Sequence, residues 1–127
     1  QRSRLEQKPT VSSYLVEEME NARRYFNEHY NEAISIEEFA LSRSMSVSWF
    51  LRNFKQVTGM SPMHYILTNR INTAVSLLET TDYNVAEISA IVGYENPMYF
   101  SRLFKKQKGV SPTEYRKLLN DHAIDIP

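Results

Sequence analysis

Cysteine is absent from this 127-residue chain, which excludes a disulfide framework and a thiolate metal site and gives no sign of an oxidising compartment. Glycine occurs three times and proline five times, too few for the turns of a many-stranded β fold. No apolar run approaches the roughly 20 residues needed to cross a bilayer. The opening residues Gln1, Arg2, Ser3 and Arg4 lack the apolar stretch of a signal peptide. These absences lead to the expectation of a soluble, unexported, cytoplasmic and mainly helical protein without a membrane partner. The missing initiator Met adds the expectation that the chain is a piece of a longer one. Its length suits one compact domain or two very small ones sharing a core, and an apolar fraction of 42% is ordinary for a globular protein.

Enzyme chemistry also lacks its usual materials. His29, His64 and His122 lie in distant segments, no two at the i, i+4 spacing of metal ligands, and no glycine-rich phosphate cradle is present. No catalysis, metal or cofactor is expected.

An excess of one charge sign is likewise missing: 15 basic residues balance 15 acidic ones, which taken whole argues mildly against a nucleic-acid partner. The average conceals an asymmetry. Eight acidic residues lie between Glu6 and Glu38, whereas Phe39 to Leu78 has none and carries Arg43, Arg52, Lys55 and Arg70. A second acid-free block, Asn96 to Thr113, holds Arg102, Lys105, Lys106 and Lys108. Two basic segments about fifty residues apart suit two local contacts on an anionic polymer.

Residues 1–12 are polar, contain Pro9 and show no periodicity, so they read as linker or remnant. From Ser13, Leu15, Met19, Ala22, Phe26 and Tyr30 recur at helical spacing with charged residues on the other faces, as in an amphipathic helix packed on a core. Six later helix starts are marked by residues that satisfy free N–H groups or suit the first helical position. Ser35 with Glu38, Ser111 with Glu114 and Asn84 with Glu87 form capping-box patterns. Ser46, Ser61-Pro62 and Asn96-Pro97 mark the other three, and Gly59 and Gly109 stand where left-handed C-caps belong. The pattern predicts seven helices over about 14–31, 36–43, 47–57, 62–79, 85–92, 97–108 and 112–120.

Self-comparison shows a repeat displaced by fifty residues. Phe50, Arg52, Phe54, Lys55, Gly59, Ser61, Pro62 and Tyr65 recur as Phe100, Arg102, Phe104, Lys105, Gly109, Ser111, Pro112 and Tyr115. Upstream the displacement becomes forty-nine, pairing Phe39-Ala40 with Ile88-Ser89, so the second turn is one residue longer. Each unit is a short helix, a tight turn and a longer helix. That is a helix-turn-helix, whose second helix enters the major groove while the first braces it. The predicted architecture is all-α: a first subdomain at 13–60, a linking helix at 61–80, a second subdomain at 81–120 and a tail at 121–127. The linking helix, about 27 Å long at 1.5 Å per residue, compares with the roughly 34 Å between successive major grooves on one face of B-DNA.

The residues of the second unit resemble the AraC/XylS family of transcription regulators. The resemblance rests on Val85-Ala86-Glu87-Ile88-Ser89-Ala90-Ile91-Val92-Gly93-Tyr94, Tyr99-Phe100-Ser101-Arg102-Leu103-Phe104-Lys105-Lys106 and Gly109-Val110-Ser111-Pro112-Thr113-Glu114-Tyr115-Arg116, and extends from about residue 15 to 118. It implies the DNA-binding module of a bacterial regulator, acting on promoter or operator duplex and on the nucleoid. RNA polymerase is implied as a partner, as is an N-terminal sensing, dimerising or receiver domain that is not visible here. The isolated domain is expected to be a monomer. A helical protein-interaction module is the rival, though the outward faces of the repeat helices carry Arg and Lys rather than an apolar patch.

If Phe50, Phe54 and Val57 are core, Ser48, Leu51 and Arg52 face the groove floor, and Arg52 suits bidentate contact with guanine O6 and N7. A phosphate or a neighbouring Glu is the alternative partner for Arg52. In the second unit Phe100, Phe104 and Leu103 are core, leaving Met98, Ser101 and Arg102 toward the bases, with Arg102 open between base and phosphate. Lys55, Lys105 and Lys106 are assigned to phosphates, Trp49 and Tyr99 to the backbone through their ring edges, and Ser46 and Asn96 through the helix N-termini that they cap. Arg70 is expected in a structural ion pair. Ser44 stands where the second unit has Gly93, so the first turn must avoid positive φ or tolerate strain. Ser89 replaces the small apolar residue usual in the family at the tight crossing.

Overall fold

The computed structural model describes residues 2–124, with side chains described over 13–121. It contains α1 (Arg2–His29), α2 (Ile36–Ser42), α3 (Val47–Thr58), α4 (Pro62–Thr80), α5 (Val85–Ile91), α6 (Pro97–Lys108) and α7 (Pro112–Ile124), with no strand among the described residues. The fold is all-α, with two helix-turn-helix subdomains joined by α4. His122 lies outside the described side chains.

Each helix after α1 begins where its cap predicts. The backbone of α1 is helical from Arg2 rather than from about residue 14. Pro9 does not prevent this, because proline fixes φ near −65°, a helical value, and its cost is a missing hydrogen bond and local crowding. At the other end α7 continues to Ile124, past the predicted stop near 120. Of the three predicted capping boxes only Asn84–Glu87 closes in both directions, with both bonds at 2.8 Å. Ser35 and Ser111 accept the Glu38 and Glu114 amides at 3.1 Å without a return bond among the described residues. Gly59 and Gly109 both end their helices at φ +87°, as the sequence predicts.

The chain divides into two units. The first comprises residues 1–29 and 34–66, and the second 30–33 and 67–127. Met19, Ala22, Phe26, Ala40, Phe50, Phe54 and Ile66 form the core of the first, where Phe26 meets Phe50 and Phe54 edge-on at centroid distances of 6.3 and 5.7 Å. Ile71, Ala74, Leu78, Ile88, Val92, Phe100 and Phe104 form that of the second. The two cores extend the repeat one helix further upstream than the sequence comparison reaches. Leu15, Met19, Ala22 and Phe26 on α1 correspond to Leu67, Ile71, Ala74 and Leu78 on α4, a displacement of fifty-two. Each unit is thus a bracing helix, a helix-turn-helix and the first turn of a closing helix. Tyr65 and Tyr115 close them alike: the first donates its hydroxyl to Asn27 Oδ1 at 2.7 Å, the second to Glu79 Oε2 at 2.9 Å.

Candidate nucleic-acid interface

The helical step of 100° places Phe50 and Phe54 on one face of α3 and Ser48, Arg52, Lys55 and Gln56 on the opposite one. Both Phe rings are fully buried and those four residues are exposed. Ser46 fixes the start of the helix by accepting the Trp49 amide at 3.2 Å. On α6, Phe100 and Phe104 are buried, and Met98, Arg102, Lys105 and Lys106 are exposed at the corresponding positions. Asn96 Oδ1 accepts the Met98 and Tyr99 amides at 2.9 and 3.2 Å, with Pro97 at the first helical position.

Two predicted groove residues sit off these faces. Leu51 and Ser101 are each one step from a buried Phe, on the flank, and Ser101 is half-buried. Leu103 is half-buried rather than core, and Val57 packs at the rim of the first core. Trp49 and Tyr99 share a repeat position but not an environment. Trp49 packs against the first core, whereas Tyr99 is exposed and edges Tyr94 at 5.9 Å. Gln56 was missed by the sequence reasoning. Its signal was its position one helical turn after Arg52, matching Lys106 in the second unit.

The charge on these faces is uncommitted. Among the described residues the side chains of Arg52, Lys55, Arg102, Lys105, Lys106 and Lys108 engage no carboxylate and no hydrogen-bond acceptor. Two acids of α1 in the first unit are taken up elsewhere. Glu18 accepts two bonds from Arg43 at 2.9 and 3.2 Å. Glu20 pairs with Arg23, whose hydrogen bond holds the carboxyl below its ordinary value. No described Glu pairs with Arg52, so one of its two alternative partners is removed.

The turns ahead of the reading helices differ. Gly93 takes φ +105°, and Ser44 tolerates the equivalent strain at φ +62°. Both turns carry the same backbone bonds, Met45 N–H to Ala40 O at 2.8 Å and Tyr94 N–H to Ser89 O at 2.9 Å. The register places the extra residue of the second turn at Glu95. Ser89 is fully buried and donates its hydroxyl to Tyr94 O at 3.0 Å, so its polar atom is satisfied inside the turn that it shapes. Arg70 is structural, but not as an ion pair: it donates to the carbonyls of Tyr30 and Glu32 at 2.6 and 2.8 Å. Arg116 does the same for the end of α4, reaching the carbonyls of Leu78 and Thr81 at 3.3 and 3.0 Å. A guanidinium at a helix C-terminus satisfies open carbonyls and complements the helix dipole.

Residues 40–118 match the helix-turn-helix domain family. The C-terminal domain of AraT, a response regulator from Geobacillus stearothermophilus, superposes with a TM-score of 0.75 at 35% identity, over 79% of this chain and 84% of that one. This chain belongs to the AraC-type helix-turn-helix family. The DNA-binding domain of AdpA, a global transcriptional factor solved in complex with a target DNA, superposes with a TM-score of 0.77 at 31% identity, over 84% and 96% of the two chains. In sequence this AraC-type domain is 34% identical over 100 residues to the MmsAB operon regulatory protein of Pseudomonas aeruginosa, covering 79% of this chain. It is 38% identical over 99 residues to the HTH-type transcriptional regulator YisR of Bacillus subtilis, covering 78% of this chain. The AraC-type domain spans about a third of the length of these curated relatives, 33% and 34%.

Proposed function

We propose that the chain binds double-stranded DNA sequence-specifically, as the DNA-binding module of a bacterial transcription regulator, with α3 and α6 entering successive major grooves. The observation that carries this is the pair of repeat helices, each buried through two Phe rings and presenting on the opposite face Arg and Lys with no partner among the described residues. An unpartnered guanidinium on a helix of groove-fitting size is free to bond base edges or phosphate without first breaking an internal bond. The zero net charge is no obstacle, because the counterion release that drives binding depends on the local face and not on the sum. The AdpA domain, solved on its target DNA, supports the same reading by analogy.

On this reading Arg52 reads guanine, assisted by Ser48 and, from the flank, Leu51. Met98, Ser101 and Arg102 form the second reading set, with Met98 against a thymine methyl. Ser46, Trp49, Lys55, Asn96, Tyr99, Lys105 and Lys106 hold the phosphate backbone. The intact regulator adds an N-terminal sensing or receiver domain and meets RNA polymerase at the promoter, and it works in the cytoplasm on the nucleoid. Among the described residues no helix is long and apolar enough to cross a membrane, and no group of three His, Asp or Glu is placed to hold a metal ion. We assign the chain no catalysis.

The test is selection of bound duplexes from a random pool at about 100 mM salt, where phosphate contacts are screened but not abolished. The expected product is an asymmetric site with two boxes about one helical turn apart. Arg52→Ala relaxes one box and Arg102→Ala weakens the other. No enrichment together with no binding at low salt would overturn the reading and leave protein contact as the function to pursue.

A further inference from the structure

The displacement of fifty-two between the bracing helices aligns Glu18 on α1 with Arg70 on α4. Both side chains reach the turn of their own helix-turn-helix, with opposite chemistry. Glu18 holds Arg43, the residue before the strained Ser44, by two bonds at 2.9 and 3.2 Å. Arg70 lays its guanidinium over the Tyr94 ring at 4.7 Å while bonding the carbonyls of Tyr30 and Glu32. Tyr94 extends this chain of packing to α6, its ring lying 5.9 Å from both Tyr99 and Phe100. The turn is closed tightly on that side: a Cβ at Gly93 would stand 3.1 Å from the Asn31 carbonyl and 3.2 Å from Arg70 Cζ.

We propose that this shared position on the bracing helix sets the presentation of each reading helix, Arg70 acting as the positioning residue for α6 and Glu18 for α3. Neither touches DNA. Arg70 acts because three rigid groups meet on one planar cation: two backbone carbonyls fix its plane, and that plane fixes the Tyr94 ring against the first turn of α6. Arginine is needed for this, since lysine offers a point charge and no planar fork. The inference rests on the DNA-binding reading, but the placement of α6 that it asserts is measurable without DNA.

The experiment uses the whole chain and the duplex selected by the unaltered protein, with either box scrambled in turn. Arg70→Ala is expected to bind the two-box duplex roughly tenfold more weakly, near the lower end of what one base-reading contact supplies. It should become insensitive to scrambling of the Arg102 box while still discriminating the Arg52 box. Arg70→Lys should fall between Arg70→Ala and the unaltered chain. Glu18→Gln should show the reverse selectivity. Amide exchange without DNA is expected to quicken over residues 92–100 in Arg70→Ala and to stay unchanged over 47–58. An equal affinity loss whichever box is scrambled would overturn the inference, since a merely structural residue weakens both. Unchanged exchange over 92–100 overturns it independently. If the unaltered chain selects no duplex, the DNA-binding reading fails by itself and the exchange profile alone decides whether Arg70 positions α6.

Discussion

Replacing Gly93 and Gly109 with alanine in turn separates two costs, backbone strain and crowding, that coincide at Gly93. At φ +105° an alanine is strained by about 1–2 kcal/mol relative to glycine. Its Cβ would also press to 3.1 Å on the Asn31 C and O atoms, which are backbone and cannot rotate aside. Overpacking of that kind costs about 1–3 kcal/mol, so Gly93→Ala should destabilise by about 3 kcal/mol in all. Gly109 is the internal control: its φ is +87° and a Cβ there meets nothing within 4 Å. Gly109→Ala therefore carries the strain alone, about 1 kcal/mol. At roughly 4 °C per kcal/mol for a unit of this size, the melting midpoint should fall by about 12 °C in the first variant and about 4 °C in the second. Thermal unfolding followed by circular dichroism measures both. Equal shifts would refute the reasoning, since they would mean that the second turn does not close tightly on Asn31.

Ser44→Gly should act in the opposite direction, raising stability by up to about 1 kcal/mol through release of the positive-φ strain, as read in the same thermal assay. Lys105→Gln and Lys106→Gln should each flatten the dependence of log affinity on log salt by about 0.9 for the phosphate no longer neutralised, while leaving the selected sequence unchanged. Tyr115 donates to Glu79, which raises its phenol pKa, so the bond's contribution is complete below the ordinary tyrosine value and lost as pH rises through the raised one. Spectrophotometric titration should show a phenol ionising above the ordinary value, and Tyr115→Phe should abolish that phase. Ser89→Ala should destabilise by about 1 kcal/mol, since the Tyr94 carbonyl loses a donor at a buried site.

Most of the fold was legible in the sequence because its helix starts are written in short-range chemistry. Ser35, Ser46, Asn84 and Asn96 each bond an amide two or three residues ahead, and such bonds depend on little beyond the local chain. The buried and exposed faces of α3 and α6 followed from the spacing of Phe50 with Phe54 and of Phe100 with Phe104. Ser44 was half legible: its alignment with Gly93 exposed the conflict, and only the backbone showed that strain was accepted rather than avoided. Arg70 and Arg116 were not legible in their actual roles. Their acceptors are main-chain carbonyls 33 to 40 residues distant in the chain, which carry no side-chain signature. The start of α1 escaped because residues 2–12 show no apolar period, the signal on which helix assignment depends. Leu51 and Ser101 lie on the flank, beside the basic face rather than in it, because a 100° step from a buried Phe reaches no further.

The repeat runs at a displacement of fifty-two over the bracing helices, forty-nine over the short helices and fifty over the reading helices. Every change of length therefore falls in a connection, one of them at Glu95, and none falls inside a helix. A residue gained within a helix would rotate all that follows by 100°, carrying Phe100 out of the core to the flank and Arg102 off the outward face. Gained in a turn, it displaces the helix that follows while leaving that helix's buried face intact. The two halves can thus differ in the lengths of their connections while keeping the same buried faces.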